Sequence, residues 1–345
     1  MLAAAIRDLV RGGLAVTVPL APGVQPSWIP SGAVRQIDVG DGRSLQEVLP
    51  ELMRQSDAVL IIAPESSGLL HELVSRAQGA AADGCLLLNL PPAACQIFSD
   101  KLLTARWLKQ HGLPSPTTRV FDPSDSERHA SRPEVLLSQE EQSGAPRGFV
   151  MKPRDGVGSE QVTVLPSSRR LENLLAQPDE SASDDSVSAS WVLQPQLFGE
   201  AFSIGVVGHG PGRSASILPP ARQNMILDGR TLHYRGGRIP APSPAADSMV
   251  QLARRFCESI AGWRGYVGID AICDPDTGQL LGVVDVNPRL CTSFVGYQYL
   301  AEQQGCGSLL LEESTLCCNA AQRICFDIAG NVESVSCPSE PVGET

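Results

Sequence analysis

The chain has 345 residues, 42% of them hydrophobic, which suits two or three modules, and it lacks the run of roughly 20 apolar residues that spans a bilayer. Its net charge of −11, from 27 Lys and Arg against 38 Asp and Glu, excludes a binder that works through the nucleic-acid backbone. Ten cysteines at irregular spacing, with no C-x-x-C pair, exclude a disulfide framework and a zinc ribbon and suit reduced thiols in the cytoplasm.

The opening MLAAAIRDLVRGGLAV is no signal peptide, because Arg7, Asp8 and Arg11 interrupt it. Leu2, Ile6, Leu9 and Val10 form one stripe of an amphipathic helix. An apolar piece follows at Leu14–Leu20, then a helix over Ser44–Gln55 that must tolerate Pro50. Ala58–Ala63 and Cys85–Leu90 read as buried strands flanking a helix at Gly68–Arg76. Such alternation predicts an open, largely parallel α/β domain over residues 1–97. Domains of this kind usually open on a strand, and this chain opens on a helix. The segment APESSG, residues 63–68, lies past a strand end, where open sheets bind ligands. Glu65 there reads equally as a substrate contact or, with Ser66, as a helix cap.

Ser99–His111 is a helix with Ser99 as N-cap, an apolar stripe at Leu102, Ala105 and Leu108, and a stop at Gly112 and Pro114. Lys101 falls in its first turn, against the helix dipole. Residues 122–147 and 177–190 are Ser- and acid-rich connections, apart from a short strand at Val135–Leu137. Gly148–Lys152 is a strand running into PRDGVGSEQV, where Gly156 and Gly158 let backbone amides approach an anion and Lys152 supplies charge. It is not a P-loop, since the lysine precedes the glycines. Strands at Trp191–Leu197 and Ala201–Val207 flank the turn Phe198-Gly199-Glu200. Ala246–Ala261 is a helix with Met249, Leu252, Phe256 and Ile260 on one face. Leu309–Arg323 reads as another, placing Cys317-Cys318 in helical core, and the last residues should fray.

The richest stretch is Gly265–Phe294. It reads as a hairpin of Tyr266–Cys273 and Leu280–Val286 around a turn at Asp274, Pro275, Thr277 and Gly278. Alternation puts Asp270, Asp285 and Asn287 on one face. Two carboxylates and an amide oxygen without His or Cys make a hard-oxygen site, suited to Mg²⁺ and not to zinc. Arg289 follows, a planar cation fitted to phosphate.

Five segments occur in an order and spacing that resembles the ATP-grasp superfamily: DKLLTARWLKQHGLPSP, FVMKPRDGVGS, WVLQPQLFGEAFSI, GYVGIDAI and VVDVNPR. The resemblance implies an α/β and α+β fold. A pre-ATP-grasp domain (1–97) precedes a lid subdomain (98–197), a C-terminal subdomain with the metal site (198–330) and a tail (331–345), and ATP lies between two antiparallel sheets. It also implies roles. Lys101 and Lys152 hold the phosphates, and Gly156, Gly158 and Ser159 belong to the lid over them. Gln194 to Leu197 face the adenine and Glu200 takes the ribose. Asp270, Asp285 and Asn287 carry Mg²⁺, with Mn²⁺ as the alternative, and Arg289 steadies the transferred phosphoryl group. The usual E-x-N-P-R is D-x-N-P-R here, so Asp285 is one methylene shorter than the family's glutamate.

SDAVLIIAPESSGLL and ARQNMILDGRTLHYRGGRIP further resemble the tyramine–glutamate ligase group of methanofuran synthesis. In that likeness Arg222 and Gln223 grip a substrate carboxylate. The implied activity is carboxylate–amine ligation through an acyl phosphate, on small molecules, in the cytoplasm, by a homodimer, without nucleic acid or membrane. The alternatives are an ATP-binding sensor or scaffold that has lost catalysis, and a bicarbonate-using carboxylase subunit.

Overall fold

The computed structural model describes residues 1–20, 34–39, 45–81, 84–121, 148–156, 161–167, 191–241, 243–317 and 322–336. Among the sequence expectations, the strand at Val135–Leu137, the excursion at 177–190, Gly158 and Ser159 lie outside these residues.

The chain opens on helix α1 (Leu2–Arg11), followed by β1 (Val16–Leu20), which pairs parallel with β2 (Val34–Asp38). Helix α2 (Leu45–Arg54) carries Pro50 in its interior. Strand β3 (Ala58–Val59) pairs parallel with β4 (Leu86–Leu87), across a 3₁₀ turn at Ser66–Gly68 and helix α3 (Leu69–Ala81). The parallel pairing agrees with the βα alternation, but it forms two separate two-stranded sheets. The apolar run Ala58–Ala63 joins a ladder only at its first two residues. Beyond them the Asn89 side chain replaces a neighbouring strand: its Nδ2 donates to the Ile61 carbonyl at 2.9 Å, and Ile61 N donates to its Oδ1 at 2.7 Å.

The helix expected from Ser99 is in fact two, α4 (Pro92–Ser99) and α5 (Lys101–Gln110), split at Asp100. Asp100 is extended (φ −111°, ψ 115°) and is the true N-cap, its Oδ1 accepting from Leu102 N at 2.8 Å and Leu103 N at 3.2 Å. The remaining strands form a twelve-stranded sheet: β5 (Arg119–Phe121), β6 (Gly148–Pro153), β7 (Thr163–Pro166), β8 (Trp191–Pro195), β9 (Glu200–His209), β10 (Ser216–Ile217), β11 (Ala221–Asp228), β12 (Thr231–Ile239), β13 (Arg264–Cys273), β14 (Leu280–Asn287), β15 (Gln322–Phe326) and β16 (Val332–Ser336). Its main path runs β14-β13-β9-β11-β12-β7-β6-β8-β5. The two halves of the clasp are therefore one sheet. They join where Thr231 pairs with Thr163, Val164 N donates to Arg230 O (2.7 Å) and Leu232 N donates to Val162 O (2.9 Å).

Alternation divides this sheet's faces. Phe202, Ile204, Val206, Val267, Ile269 and Ala271 pack against Met249, Leu252 and Phe256 of helix α6 (Ala245–Glu258). On the other face Val207 and Tyr266 pack against Phe294 and Tyr297 of helix α7 (Ser293–Gln303). Further along that second face of β13 comes Asp270, so the α7-covered core gives way to the polar site on the same surface.

The opening helix serves two bodies. Ile6 packs on Val18 and Leu20 of the first small sheet, while Ala4 and Ala5 join the α7 core. Asp8 is fully buried and accepts from Ser308 Oγ (2.7 Å), Leu309 N (3.0 Å) and Arg11 Nη2 (2.8 Å). That carboxylate fixes a turn where the sequence predicted a helix over Leu309–Arg323. Residues 309–312 are turn and bend, 313–317 belong to no helix or strand, and β15 begins at Gln322, paired to β12. Cys317 is accordingly exposed and not in helical core. Removing one partner of a buried ion pair strands the other, so Asp8→Ala should lower unfolding free energy by about 3 kcal/mol in urea denaturation, with Asp276→Ala in the exposed β13–β14 turn as an unaffected control.

Candidate active site

In the β13–β14 hairpin Asp270 sits directly opposite Asp285, and Asn287 opposite Gly268. Neutral donors surround Asp270: Asn287 Nδ2 to Oδ2 at 3.2 Å, Gln223 Nε2 from β11 to Oδ1 at 3.1 Å, and the Ser203 hydroxyl. Burial and then the neighbouring Asp285 push the Asp270 carboxyl up to about 6. Two facing carboxylates, one of them half-buried among neutral groups, suit a divalent cation. Among the described residues no group of three or more His, Cys, Asp or Glu could hold a metal. The protein's share of an ion's shell would be Asp270, Asp285 and the Asn287 amide, the rest coming from water and substrate oxygens, the habit of Mg²⁺.

Two buried lysines reach the same strand from other elements. Lys152, at the end of β6, donates to the carbonyl of Val284 at 2.6 Å. Burial lowers its pKa to about 8, opposed by Asp285. Lys101, the first residue of α5, donates to the Gly156 carbonyl at 2.7 Å and lies 3.9 Å from Asp285 Oδ2. The Arg154–Asp100 ion pair (2.5 Å) and Lys101 N donating to Arg154 O (2.9 Å) tie the start of α5 to the end of β6.

Lys101, Lys152, Gly156, Gln194, Leu197, Gln223, Asp270 and Asp285 thus line one cavity of about 300 Å³, together with apolar Val150, Met225, Leu232 and Ile272. Gln194 is held by a bond from its Nε2 to Thr118 Oγ1 at 2.8 Å. At the turn into β9 a Cβ on Gly199 would stand 2.3 Å from the Cys273 carbonyl, so only glycine passes there. Glu200 lies between the cavity-lining Gly199 and Ala201, and it is ion-paired to Arg222. Alternation places Glu200 on the Phe202 side of β9, and Arg222 is the cross-strand partner of Phe202. Asn287 meets the cavity through Asp270.

Arg289 is paired with Glu65 (Nε to Oε2, 2.7 Å), at 9% and 5% side-chain exposure. Burial works against its charge, but Glu65, Cys291 and Asp285 hold its pKa above the ordinary value. Glu65 makes no capping bond to its turn. Ser203, Asp155 and the Glu65–Arg289 pairing carry no sequence signal, because each is defined only by a neighbour distant in the chain.

A sequence profile for the ATP-grasp domain matches residues 98–293, more than half of the chain. The chain belongs to the ATP-grasp family. A pre-ATP-grasp domain profile matches residues 16–94. The family uses ATP with Mg²⁺, and this member is an ATP-dependent ligase that forms carbon–nitrogen bonds. Tyramine–L-glutamate ligase of Methanocaldococcus fervens is 20% identical over 262 residues, covering 75% of this chain and 68% of that protein. Among solved structures, N5-carboxyaminoimidazole ribonucleotide synthetase from Thermotoga maritima superposes with a TM-score of 0.59 at 16% identity. L-amino acid ligase from Bacillus licheniformis gives 0.58 at 17%. Both alignments cover 93% of this chain and 76% of the other, and they show a shared fold.

Asp270 can take a metal only as the carboxylate, so protons compete with it below about pH 6. Calorimetric titration of the nucleotide-free ATP-grasp protein should find Mg²⁺ binding about tenfold weaker at pH 5 than at pH 7.5. Equal affinities would remove Asp270 from the ion.

Proposed function

We propose that this ligase activates a carboxylate as its acyl phosphate and transfers the acyl group to an amine. The observation that carries this is the meeting, on one cavity, of the Asp270–Asp285 pair with Lys101 and Lys152. When bound, Mg²⁺ would neutralise charge on the transferring phosphoryl oxygens, held by Asp270, Asp285 and Asn287. Lys101 and Lys152 would hold the phosphates, exchanging their present bonds to the Gly156 and Val284 carbonyls for phosphate oxygens. Gly156 would border the phosphates, while Gln194 and Leu197 would flank the base. Glu200, directed to the Phe202 face of β9, would take the ribose only by leaving Arg222 and turning round the start of the strand. Arg289 would face the transferring group. A carboxylate oxygen attacks the γ-phosphorus, ADP leaves, the amine nitrogen attacks the acyl carbon, and phosphate departs as the amine gives up a proton.

Gln223, which already orients Asp270, and Arg222 would contact the acid being activated. For the substrates we favour glutamate and a phenethylamine such as tyramine, a choice supported by the 20% likeness to tyramine–L-glutamate ligase. ADP release should therefore require an acid and an amine together with Mg²⁺, or Mn²⁺ in its place. Mass spectrometry of a mixture with glutamate, tyramine and a panel of other amines identifies the amide. Release driven by bicarbonate alone would make the protein a carboxylase subunit, and ATP binding without turnover on any pair would make it a sensor. Asp285→Asn should lower turnover by about 10³-fold, while Asp276→Asn, in the exposed turn of the same hairpin, should leave it unchanged.

A further inference from the structure

The 3₁₀ turn of the N-terminal domain reaches the site at two points. Glu65 pairs with Arg289 across 224 positions, and both side chains are buried. The next two residues grip Asp155, the neighbour of cavity-lining Gly156: Ser67 N donates to its Oδ2 at 2.9 Å and Ser66 Oγ to its carbonyl at 3.3 Å. Ser67 is held in the left-handed region (φ 57°), and Gly68 N donates to the Glu65 carbonyl at 3.1 Å. Glu65 therefore stands on a turn that Asp155 ties to the site, and Arg289, which also donates to the Leu290 carbonyl at 3.1 Å, pairs with it.

Arg289 comes four residues after Asp285 and two after Asn287, and both Asp270 and Asp285 lie within its electrostatic reach. A buried guanidinium does not remain unpaired. Without Glu65, the carboxylates in reach are those assigned above to Mg²⁺. We propose that Glu65 is a positioning residue that holds Arg289 off the Asp270–Asp285 pair and so keeps both carboxylates free for the metal. It needs no contact with nucleotide or substrate. Three residues of the pre-ATP-grasp domain thereby set the metal affinity of a site built almost wholly by the other domain. The proposal rests on the assignment of Asp270 and Asp285 to Mg²⁺.

The test is calorimetric binding of the β,γ-imido analogue of ATP over a range of Mg²⁺ concentrations, which requires no turnover. Glu65→Gln should raise the half-saturating Mg²⁺ concentration about tenfold, as expected when a cation competes for a carboxylate. Adding Arg289→Ala to Glu65→Gln should bring that concentration back to within about twofold of the wild type, since the competing cation is gone. A structural defect at Glu65 would not be suppressed in this way. Glu65→Asp, which keeps the charge, should fall between wild type and Glu65→Gln, and it serves in the same cycle if Glu65→Gln does not fold. An unchanged Mg²⁺ requirement in Glu65→Gln would overturn the proposal, and so would a double variant as impaired as the single one. Wild-type protein that binds the analogue only with Mg²⁺ but joins no acid to an amine would overturn the substrate reading and not this one. Metal-independent binding by the wild type would overturn the metal assignment and this proposal together.

Discussion

Asp270 and Asp285 face each other across two hydrogen-bonded strands, and like charges in that position repel. Much of the surrounding structure answers this repulsion. Gln223, Asn287 and Ser203 donate to Asp270 without adding charge, while Lys101 approaches Asp285 and Lys152 bonds the carbonyl beside it. Each cation arrives from a different element, so placing them requires α5, β6 and β14 to be docked together. The arrangement gathers two carboxylates and two ammonium groups on one cavity, a setting suited to a metal and a polyphosphate.

The hairpin was legible because period-two alternation and turn chemistry act over a few residues. Asp270, Asp285 and Asn287 could be placed on one face from spacing alone, but it takes two register shifts in the hairpin, at Asp270/Ala271 and Ile272/Cys273, to set Asp270 opposite Asp285 and not Val283. The ATP-grasp family was legible from the order of short segments, each weak by itself. The rest needed long-range contacts. Nothing near Glu65 announces a partner 224 positions away, and nothing near Leu309 announces that Asp8 will fix a turn in place of a helix. The single-residue error at Ser99 has a local cause. Ser99 and Asp100 are both good caps, and the extended backbone of Asp100, secured by Arg154, selects the second. Asn89 shows a related limit, since a side-chain amide ends a strand ladder that apolar composition would have continued.

The continuous sheet explains how two halves can clasp a ligand yet remain registered. The β11–β12 hairpin meets β7 near Thr163 and Thr231, and the connection from β8 to β9 passes through Gly199. Both crossings border the cavity, whose walls include Val162, Met225 and Leu232 from the first and Leu197 to Gly199 from the second. The lining is apolar at the crossings and charged where α5, β6 and β14 meet, so a ligand with one flat apolar end and one anionic end is oriented by the walls themselves.

The α1 contacts bear on how the chain matures during synthesis. Ala4, Ala5 and Asp8 find their partners in a core and a turn near residues 290–310, some of them 300 positions downstream. A ribosome makes the chain from the N-terminus, so the first helix emerges long before Ser308 does, with one apolar side covered by β1 and the other still wet. The acid at its centre has meanwhile no hydroxyl to meet. These contacts can thus close only after Ser308 and Leu309 have been made, and until then the helix keeps a sticky flank.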